Sequence, residues 1–245
     1  MKTRMRRYLS LSLIFVLTSC SNLLFVPSEH YPITPEAAGL QYEDIFLVSE
    51  DGVRLHGWKM LAEKDRKGSI VFFHGNGDNV STQMPNTFWL AKEGYDLYVF
   101  DYRGYGQSGG EPNLDSTILD MEVMIAHVAG RLPDDGKMIV MGHSLGGAMA
   151  IYVTAHSDYR SKIEALITVE AFSDYHDVTR EVLSRHWLTW LFQWPLSYTI
   201  SNGYRPLDAI PLVSPIPVAI FHSESDDIID IEHARQPVSY THLRA

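Results

Sequence analysis

A short apolar segment at residues 138–141 runs directly into Gly142-His143-Ser144-Leu145-Gly146-Gly147 and then into a segment rich in alanine and methionine. A buried strand, a tight turn and a helix joined this closely hold the serine in a strained backbone conformation with its hydroxyl projecting. Glycines two residues before and two after it leave room where a side chain would strike neighbouring backbone. The segment predicts a nucleophile elbow with Ser144 as the nucleophile; the alternative is a surface turn between a strand and a helix.

Strand and helix signals alternate along the chain. Short apolar runs predict strands at residues 45–48, 53–60, 70–73, 97–100, 138–141, 165–169 and 218–222. Residues 115–129 carry apolar side chains at spacings of three and four, with Asp115 as the expected cap, and predict a helix; a second helix is predicted at 145–156. This alternation predicts an α/β fold with a largely parallel sheet flanked by helices.

Two further segments accompany the elbow. The strand at 70–73 ends in His74-Gly75-Asn76-Gly77, and the next strand is followed by Asp101-Tyr102-Arg103-Gly104-Tyr105-Gly106-Gln107-Ser108. With the elbow, these segments resemble the alpha/beta-hydrolase superfamily, particularly its monoglyceride-lipase-like and serine-aminopeptidase-like branch. The similarity runs from about residue 45 to 236. It implies an alpha/beta-hydrolase domain at residues 41–236, with a mostly parallel sheet, helices on both faces and a short helical cap at about 172–205.

The resemblance also implies roles for residues around the serine. The backbone N–H groups of Asn76 and Leu145 would form the oxyanion hole, which stabilises the negative charge that develops on the substrate carbonyl oxygen. His74 and His143 are expected to brace their loops by hydrogen bonding, not to act as bases. The residues expected to shape the site without taking part in the chemistry are His74, Gly75, Gly142, His143 and Gly146.

A serine nucleophile needs a histidine to take its proton and a carboxylate to orient that histidine. The predicted strand at 218–222 is followed by Ser223-Glu224-Ser225-Asp226-Asp227-Ile228-Ile229, which resembles the acid turn of the family. The matching position is Asp226. Asp227 is the nearest competitor, and a solvated acidic loop is the alternative.

The expected position of the histidine lies beyond residue 245. In this fold it follows one more helix and one more strand after the acid, which needs on the order of 25 residues. A helix is predicted to begin near Ile231, but Pro237 is expected to end it within two turns. Residues 237–245 resemble a translated sequencing-adaptor read, so we expect a non-native tail, with the last strand and helix of the fold missing and the chain inactive without its histidine. The competing interpretation makes His242 that histidine.

The N-terminus has the pattern of an export signal. Four basic residues within the first seven precede an apolar run at residues 9–17, which is too short to span a bilayer as a helix. The run ends in Leu17-Thr18-Ser19-Cys20, which resembles the lipobox of bacterial lipoproteins, and Cys20 is the only cysteine. We expect a lipoprotein signal peptide at 1–19, a lipid on Cys20 and an irregular tether at 20–40. The alternatives are an ordinary signal peptide or an uncleaved anchor.

This interpretation places the protein in the bacterial cell envelope, anchored to a membrane through the lipid. Ser21 after the cysteine favours the outer membrane, with the domain facing the periplasm. The formal net charge of −10 argues against nucleic acid as a partner. The sequence shows no metal-binding spacing, no phosphate-cradling loop and no dinucleotide fingerprint, so we predict no metal and no cofactor.

The segment between the strands at 165–169 and 218–222 is rich in large apolar side chains, namely Phe172, Tyr175, Trp187, Leu188, Trp190, Leu191, Phe192, Trp194 and Tyr198, together with His186. Three interpretations of these side chains are open: they line an apolar substrate pocket, they pack on the sheet, or they touch the membrane beside the anchor. The leading hypothesis is hydrolysis of a small-molecule or lipid-like carboxylic ester, thioester or amide through an acyl-serine. The alternatives are a non-catalytic lipid-anchored binding or scaffold protein, an acyltransferase and a cofactor-free peroxidase.

Overall fold

The computed structural model describes residues 24–77 and 79–241. A seven-stranded sheet forms its centre, in the spatial order β1-β2-β4-β3-β5-β6-β7. The strands are β1 Tyr42–Val48, β2 Arg54–Met60, β3 Gly68–Phe73, β4 Tyr95–Phe100, β5 Met138–His143, β6 Ile163–Val169 and β7 Val218–Phe221. Pairing is antiparallel between β1 and β2 and between β2 and β4, and parallel from β4 through β3 and β5 to β7. The prediction of a mostly parallel sheet is confirmed.

Helices connect the strands and cover the sheet. They are α1 Val80–Gln83, α2 Trp89–Lys92, α3 Leu114–Ala129, α4 Leu145–His156, α5 Tyr175–Ser184, α6 Trp187–Trp190, α7 Gln193–Ser197, α8 Pro206–Val213 and α9 Glu232–Thr241. Within the described ranges, no helix has the length and apolar character needed to cross a membrane.

Alternate residues of the central strands enter two separate hydrophobic clusters. In β3, Val71 and Phe73 belong to one cluster, whereas Ile70 and Phe72 belong to the other. Successive strand residues point to opposite faces, so the sheet is covered on both sides. The predicted arrangement of helices around the sheet is therefore confirmed.

Helix α3 supplies an apolar stripe to the larger cluster, and Ile118, Met121 and Ile125 are buried in it. Its cap differs from the prediction. Asn113, not Asp115, is the N-cap residue, and its side chain accepts a hydrogen bond from the Ser116 amide at 3.0 Å. Asp115 lies in the first turn, two residues after the cap position, where the backbone is already helical.

Asn113→Ala is expected to lower the free energy of unfolding by about 1 kcal/mol, because an amide at the start of α3 loses its acceptor. Asn113→Asp keeps a side-chain oxygen at the cap and is expected to leave stability nearly unchanged. Urea unfolding followed by circular dichroism measures both. Equal stabilities for the two variants would contradict the assignment of the cap.

The described part of the predicted tether lies on the domain. Phe25 and Leu40 are buried. The Val26 amide donates to the side-chain oxygen of Asn76 at 2.8 Å, and the Asn79 side-chain amide donates to the carbonyl oxygens of Ser28 and His30. These contacts join segments about 50 residues apart, which explains why local sequence showed only an irregular stretch. From Leu24 onward the chain is part of the folded unit.

The prediction that Pro237 ends its helix is wrong. Helix α9 runs from Glu232 to Thr241 with Pro237 inside it. Proline removes one helical N–H donor, but its backbone angle suits a helix, and Pro237 is buried where α9 packs against α8. Burial of the ring offsets the loss of one hydrogen bond.

Candidate active site

Ser144 occupies a strained turn between β5 and α4. Its backbone angles are φ 51° and ψ −119°, and positive φ is uncommon for a residue with a side chain. The Ser144 amide donates to the Val169 carbonyl at the end of β6 at 2.9 Å, and the Ser144 carbonyl accepts from the Ala148 amide at 3.0 Å. Both bonds fix the turn to its neighbours, so the surrounding structure holds the strained conformation.

The glycines of the elbow lie where the backbone is crowded. A Cβ atom at Gly142 would lie 2.6 Å from the Gly146 carbonyl oxygen, and one at Gly146 would collide with the carbonyl oxygens of Phe73 and His74. A Cβ at Gly75 would lie 2.7 Å from Nδ1 of His143 and 3.3 Å from Cβ of Ser144. Helix α4 can therefore lie this close to β3 only with glycine at these positions.

Register in the sheet brings the two predicted turns together. Phe73 in β3 pairs with Gly142 in β5, so the His74-Gly75-Asn76 turn and the elbow leave neighbouring strands at the same edge. Ser144, Asn76 and Leu145 line one cavity of about 160 Å³. The rest of its lining is almost wholly apolar: Leu24, Phe172, Val178, Thr179, Val182, Leu183, Ile200, Ile228 and Ile229.

The two amides predicted for the oxyanion hole have no acceptor in the part of the chain that the structure describes. Among the described residues, the backbone N–H groups of Asn76 and Leu145 donate to no protein atom. The side-chain oxygen of Asn76 accepts from the Tyr105 hydroxyl at 3.0 Å and from the amides of Val26 and Gly77, each at 2.8 Å. The side chain is thus committed to holding the loop, and the backbone amide remains available beside Ser144.

His74 is fully buried and braces its turn. Nδ1 donates to the Gly75 carbonyl at 2.7 Å, and the ring lies against Tyr102, whose hydroxyl donates to the His74 carbonyl at 2.8 Å. Burial lowers the pKa of His74, which favours the neutral ring. A neutral, buried imidazole of this kind is suited to positioning the turn.

His143 contacts a carboxylate that the sequence did not single out. Its Nε2 lies 3.2 Å from the Glu170 carboxylate. Glu170 follows β6, has φ 52°, and donates its amide to the Phe221 carbonyl at 2.8 Å. The only available signal was its position at the carboxyl end of a parallel strand, where functional residues collect. The contact holds the elbow to the end of β6.

Asp226 lies in the turn after β7, with about a tenth of its side chain exposed. One oxygen accepts from the amides of Ile228 at 2.7 Å and Ile229 at 3.0 Å, and both of these residues line the cavity. The other oxygen is 3.9 Å from Nε2 of His222. Asp227, the competing residue, is exposed. The Asp226 turn therefore forms part of the cavity wall, without a hydrogen bond to Ser144.

No histidine within residues 24–77 and 79–241 hydrogen-bonds to the Ser144 hydroxyl. His233 instead accepts at Nδ1 from the amide and the hydroxyl of Ser173, at 3.1 and 2.8 Å. Its Nε2 is 3.2 Å from the Glu181 carboxylate on α5. Burial lowers the pKa of His233, and Ser173 is fully buried. This cluster, which the sequence did not indicate, fastens α5 to α9. His242 and Cys20 lie outside the described residues.

Most of the aromatic side chains between β6 and β7 do not line the cavity, in contrast to the interpretation that makes them a substrate pocket. Of the large side chains named for the segment, Phe172 lines the cavity and Tyr175 is buried beside it. The tryptophans on α6 and α7 are exposed. The cavity is closed instead by aliphatic residues of α5, including Val178 and Leu183. The amphipathic α5 supplies the pocket, and the short helices after it face outward.

A parallel sheet with a serine turn of this geometry at its centre defines an alpha/beta hydrolase. Residues 64–204 match the serine aminopeptidase family S33, and the chain belongs to this family. The chain is 31% identical over 229 residues to the alpha/beta hydrolase domain-containing protein WAV2 of Arabidopsis thaliana, a match that covers 87% of this chain and 72% of that protein.

Bacterial and archaeal proteins show the same likeness. The uncharacterized protein YfhR of Salmonella typhi is 27% identical over 242 residues, which covers 90% of this chain and 78% of YfhR. Among solved structures, the Pyrococcus furiosus esterase Pf2001 superimposes with a TM-score of 0.73 at 21% identity, covering 89% of this chain and 84% of that one. At that identity the likeness supports the fold alone.

Proposed function

We propose that the protein is a serine hydrolase that cleaves a carboxylic ester through an acyl-serine intermediate, with Ser144 as the nucleophile. One observation carries the proposal. The strained Ser144 turn opens into an apolar cavity that it shares with Asn76 and Leu145, whose amides have no acceptor within the described structure. Two amides beside a serine are what a developing oxyanion requires.

The proposed reaction begins when Oγ of Ser144 attacks the carbonyl carbon and a histidine takes the hydroxyl proton. The carbonyl oxygen becomes negative and accepts hydrogen bonds from the amides of Asn76 and Leu145. The carbon–oxygen bond to the leaving group then breaks, the histidine returns the proton to the departing alcohol, and water releases the acid from Ser144. Asp226 is proposed as the carboxylate that orients the histidine, which the proposal places outside the described residues.

The cavity favours an apolar acyl group. Its lining is mostly aliphatic. Separately, the described part of the chain contains no cluster of three side chains that could bind a metal ion. The family is described as serine aminopeptidases and the structural neighbour as an esterase. We therefore propose an ester substrate, with thioesters and amides as variants that the same acyl-serine chemistry would allow.

The test is hydrolysis of p-nitrophenyl butyrate followed by inactivation with a fluorophosphonate, with and without added imidazole. Imidazole is a soluble proton acceptor, so its presence makes the test independent of where the histidine lies. We expect p-nitrophenol release above that of imidazole without protein, and loss of this excess at one equivalent of bound phosphonate. Absence of turnover and of labelling with imidazole present would overturn the proposal.

Cavity size predicts a preference among acyl chains. At about 160 Å³, the cavity falls below the roughly 300 Å³ typical of pockets for drug-sized ligands. We expect kcat/KM for p-nitrophenyl butyrate to exceed that for p-nitrophenyl palmitate by about tenfold or more. Leu183→Ala, which enlarges the cavity, should lower the ratio of the butyrate to the palmitate kcat/KM. Leu212→Ala, on the exposed side of α8, should leave this ratio unchanged. An unchanged ratio in Leu183→Ala would count against this pocket as the acyl site.

We further propose that the protein is held in the bacterial cell envelope by lipid on Cys20, with the domain facing the periplasm from the outer membrane. Support comes from the basic and apolar residues before Cys20 and from its being the only cysteine. Cys20→Ser should abolish incorporation of radiolabelled palmitate in a bacterial host. Undiminished labelling of that variant would contradict the proposal.

A further inference from the structure

Seven large apolar side chains stand out from the helices that follow α5. They form what we call the cap face, and each is more than half exposed, up to 78% for Trp187: Trp187, Leu188, Trp190, Leu191, Phe192, Trp194 and Tyr198. Soluble proteins rarely expose so many large apolar groups in one short stretch without a partner. We therefore expect these side chains to be buried against an apolar surface of a partner.

The cap face carries no charge. Residues 186–204 include no aspartate, glutamate, lysine or arginine, although the whole chain has a net charge of −10. Residues 186–204 can therefore enter a lipid headgroup region without a charge of their own losing its water. The nearby Arg180 guanidinium, 4.6 Å from the centroid of the Trp194 ring, can remain among the polar headgroups. Tryptophan and tyrosine are also the residues enriched where the apolar and polar layers of a membrane meet.

The first described residue of the chain lies beside α5, the helix that precedes the cap face. Leu24, the first described residue, lines the cavity together with Val182 and Leu183 of α5, the helix against which α6 and α7 pack. The sequence before Leu24 contains the basic residues and the apolar run at 9–17. A segment whose sequence suits a membrane therefore precedes, along the chain, a residue that shares a cavity with α5.

We propose that the cap face binds the surface of a lipid bilayer, with its tryptophans and leucines at the boundary between headgroups and acyl chains. Val182 and Ile228 are exposed apolar side chains that also line the cavity with Ser144. Binding depends on the exposed side chains and not on catalysis by Ser144.

Quenching of tryptophan fluorescence by brominated phosphatidylcholine tests the proposal on the full chain in phosphatidylcholine vesicles. Three of the five tryptophans lie on the cap face; Trp58 is buried and Trp89 is half-exposed on α2. Trp89→Phe leaves the cap tryptophans as the exposed reporters. The triple variant Trp187→Phe, Trp190→Phe, Trp194→Phe leaves Trp89 and keeps the face apolar.

We expect Trp89→Phe to lose about half or more of its emission in brominated vesicles, because the cap tryptophans would lie within several ångströms of the bromine atoms. The triple variant should lose little. Adding Leu191→Asp to Trp89→Phe should abolish most of the quenching, whereas adding Val48→Asp on β1, at the opposite edge of the sheet from β7, should not. Equal quenching of the two tryptophan sets would overturn the proposal. The proposal would also be overturned if the cap tryptophans were not quenched and the protein were a dimer that Leu191→Asp converts to a monomer. In that case a second copy of the chain would cover the cap face.

Discussion

With imidazole supplied as the base, replacing Ser144 with alanine is expected to lower kcat for ester hydrolysis by roughly a thousandfold or more, with KM changed little. The hydroxyl is the atom that forms the acyl bond, whereas the acyl cavity and the amides of Asn76 and Leu145 remain in place. The measurement is steady-state hydrolysis of p-nitrophenyl butyrate with imidazole present, after subtraction of the hydrolysis that imidazole causes without protein. Ser161→Ala, at an exposed turn before β6, is the matched control and should retain full activity.

Loss of activity in Ser144→Ala would reflect chemistry and not unfolding. The Ser144 side chain makes no hydrogen bond within the described structure, and alanine carries the same backbone strain as serine at φ 51°. The melting temperature is therefore expected to stay near that of the unaltered chain. Activity retained in Ser144→Ala would refute the assignment of the nucleophile.

Gly146→Ala is expected to destabilise the protein by about 1–3 kcal/mol, because the new methyl group would collide with backbone oxygens of Phe73 and His74. These oxygens belong to the end of β3 and its turn, and they cannot move without disturbing the oxyanion loop. For a chain of this size the loss corresponds to a fall in melting temperature of roughly 2–12 °C. Differential scanning calorimetry measures it, and activity should fall as well.

Gly203→Ala is the matched control for Gly146→Ala. Its added Cβ would have the Ser201 hydroxyl oxygen at 3.6 Å as its nearest neighbour, an ordinary contact. Its melting temperature is expected to change by no more than about 1 °C. If Gly146→Ala melts at the same temperature as Gly203→Ala, helix α4 does not lie against β3 as closely as the structure shows.

The elbow and the sheet were accessible from sequence because their signals are local. Helix α4 begins at Leu145 and ends at His156, as the glycine turn and the following apolar residues predicted. Strand β5 extends two residues past the prediction, through Gly142 and His143. The apolar pattern alone could not show that these two polar or small residues keep pairing with β3 and β6.

Features that depend on distant partners were not predictable. His233 and Ser173 are 60 residues apart, and only the fold brings them together. Glu170 helps to hold the site because it contacts His143. The segment after Leu24 does so because it contacts Asn76. Local pattern could not distinguish these residues from ordinary polar or irregular ones, because their partners lie on other elements.

Amino-acid composition could not predict which side chains of the cap line the cavity and which are exposed. Its aromatic content was compatible with a pocket lining, with packing on the sheet and with membrane contact. The structure separates these functions by position, since α5 turns aliphatic residues toward Ser144 while Trp187 and Leu191 point outward. Which side chains face the cavity depends on how the helices turn after Ser184, and this is not encoded in aromatic content.

Ser144 is proposed as the residue that becomes acylated. The most direct measurement is mass spectrometry of peptides from the fluorophosphonate-treated chain, with imidazole present, to locate the phosphonate. We expect one adduct, on the peptide that contains Ser144. An adduct on Ser173, the serine paired with His233, or on any other residue instead of Ser144 would contradict it.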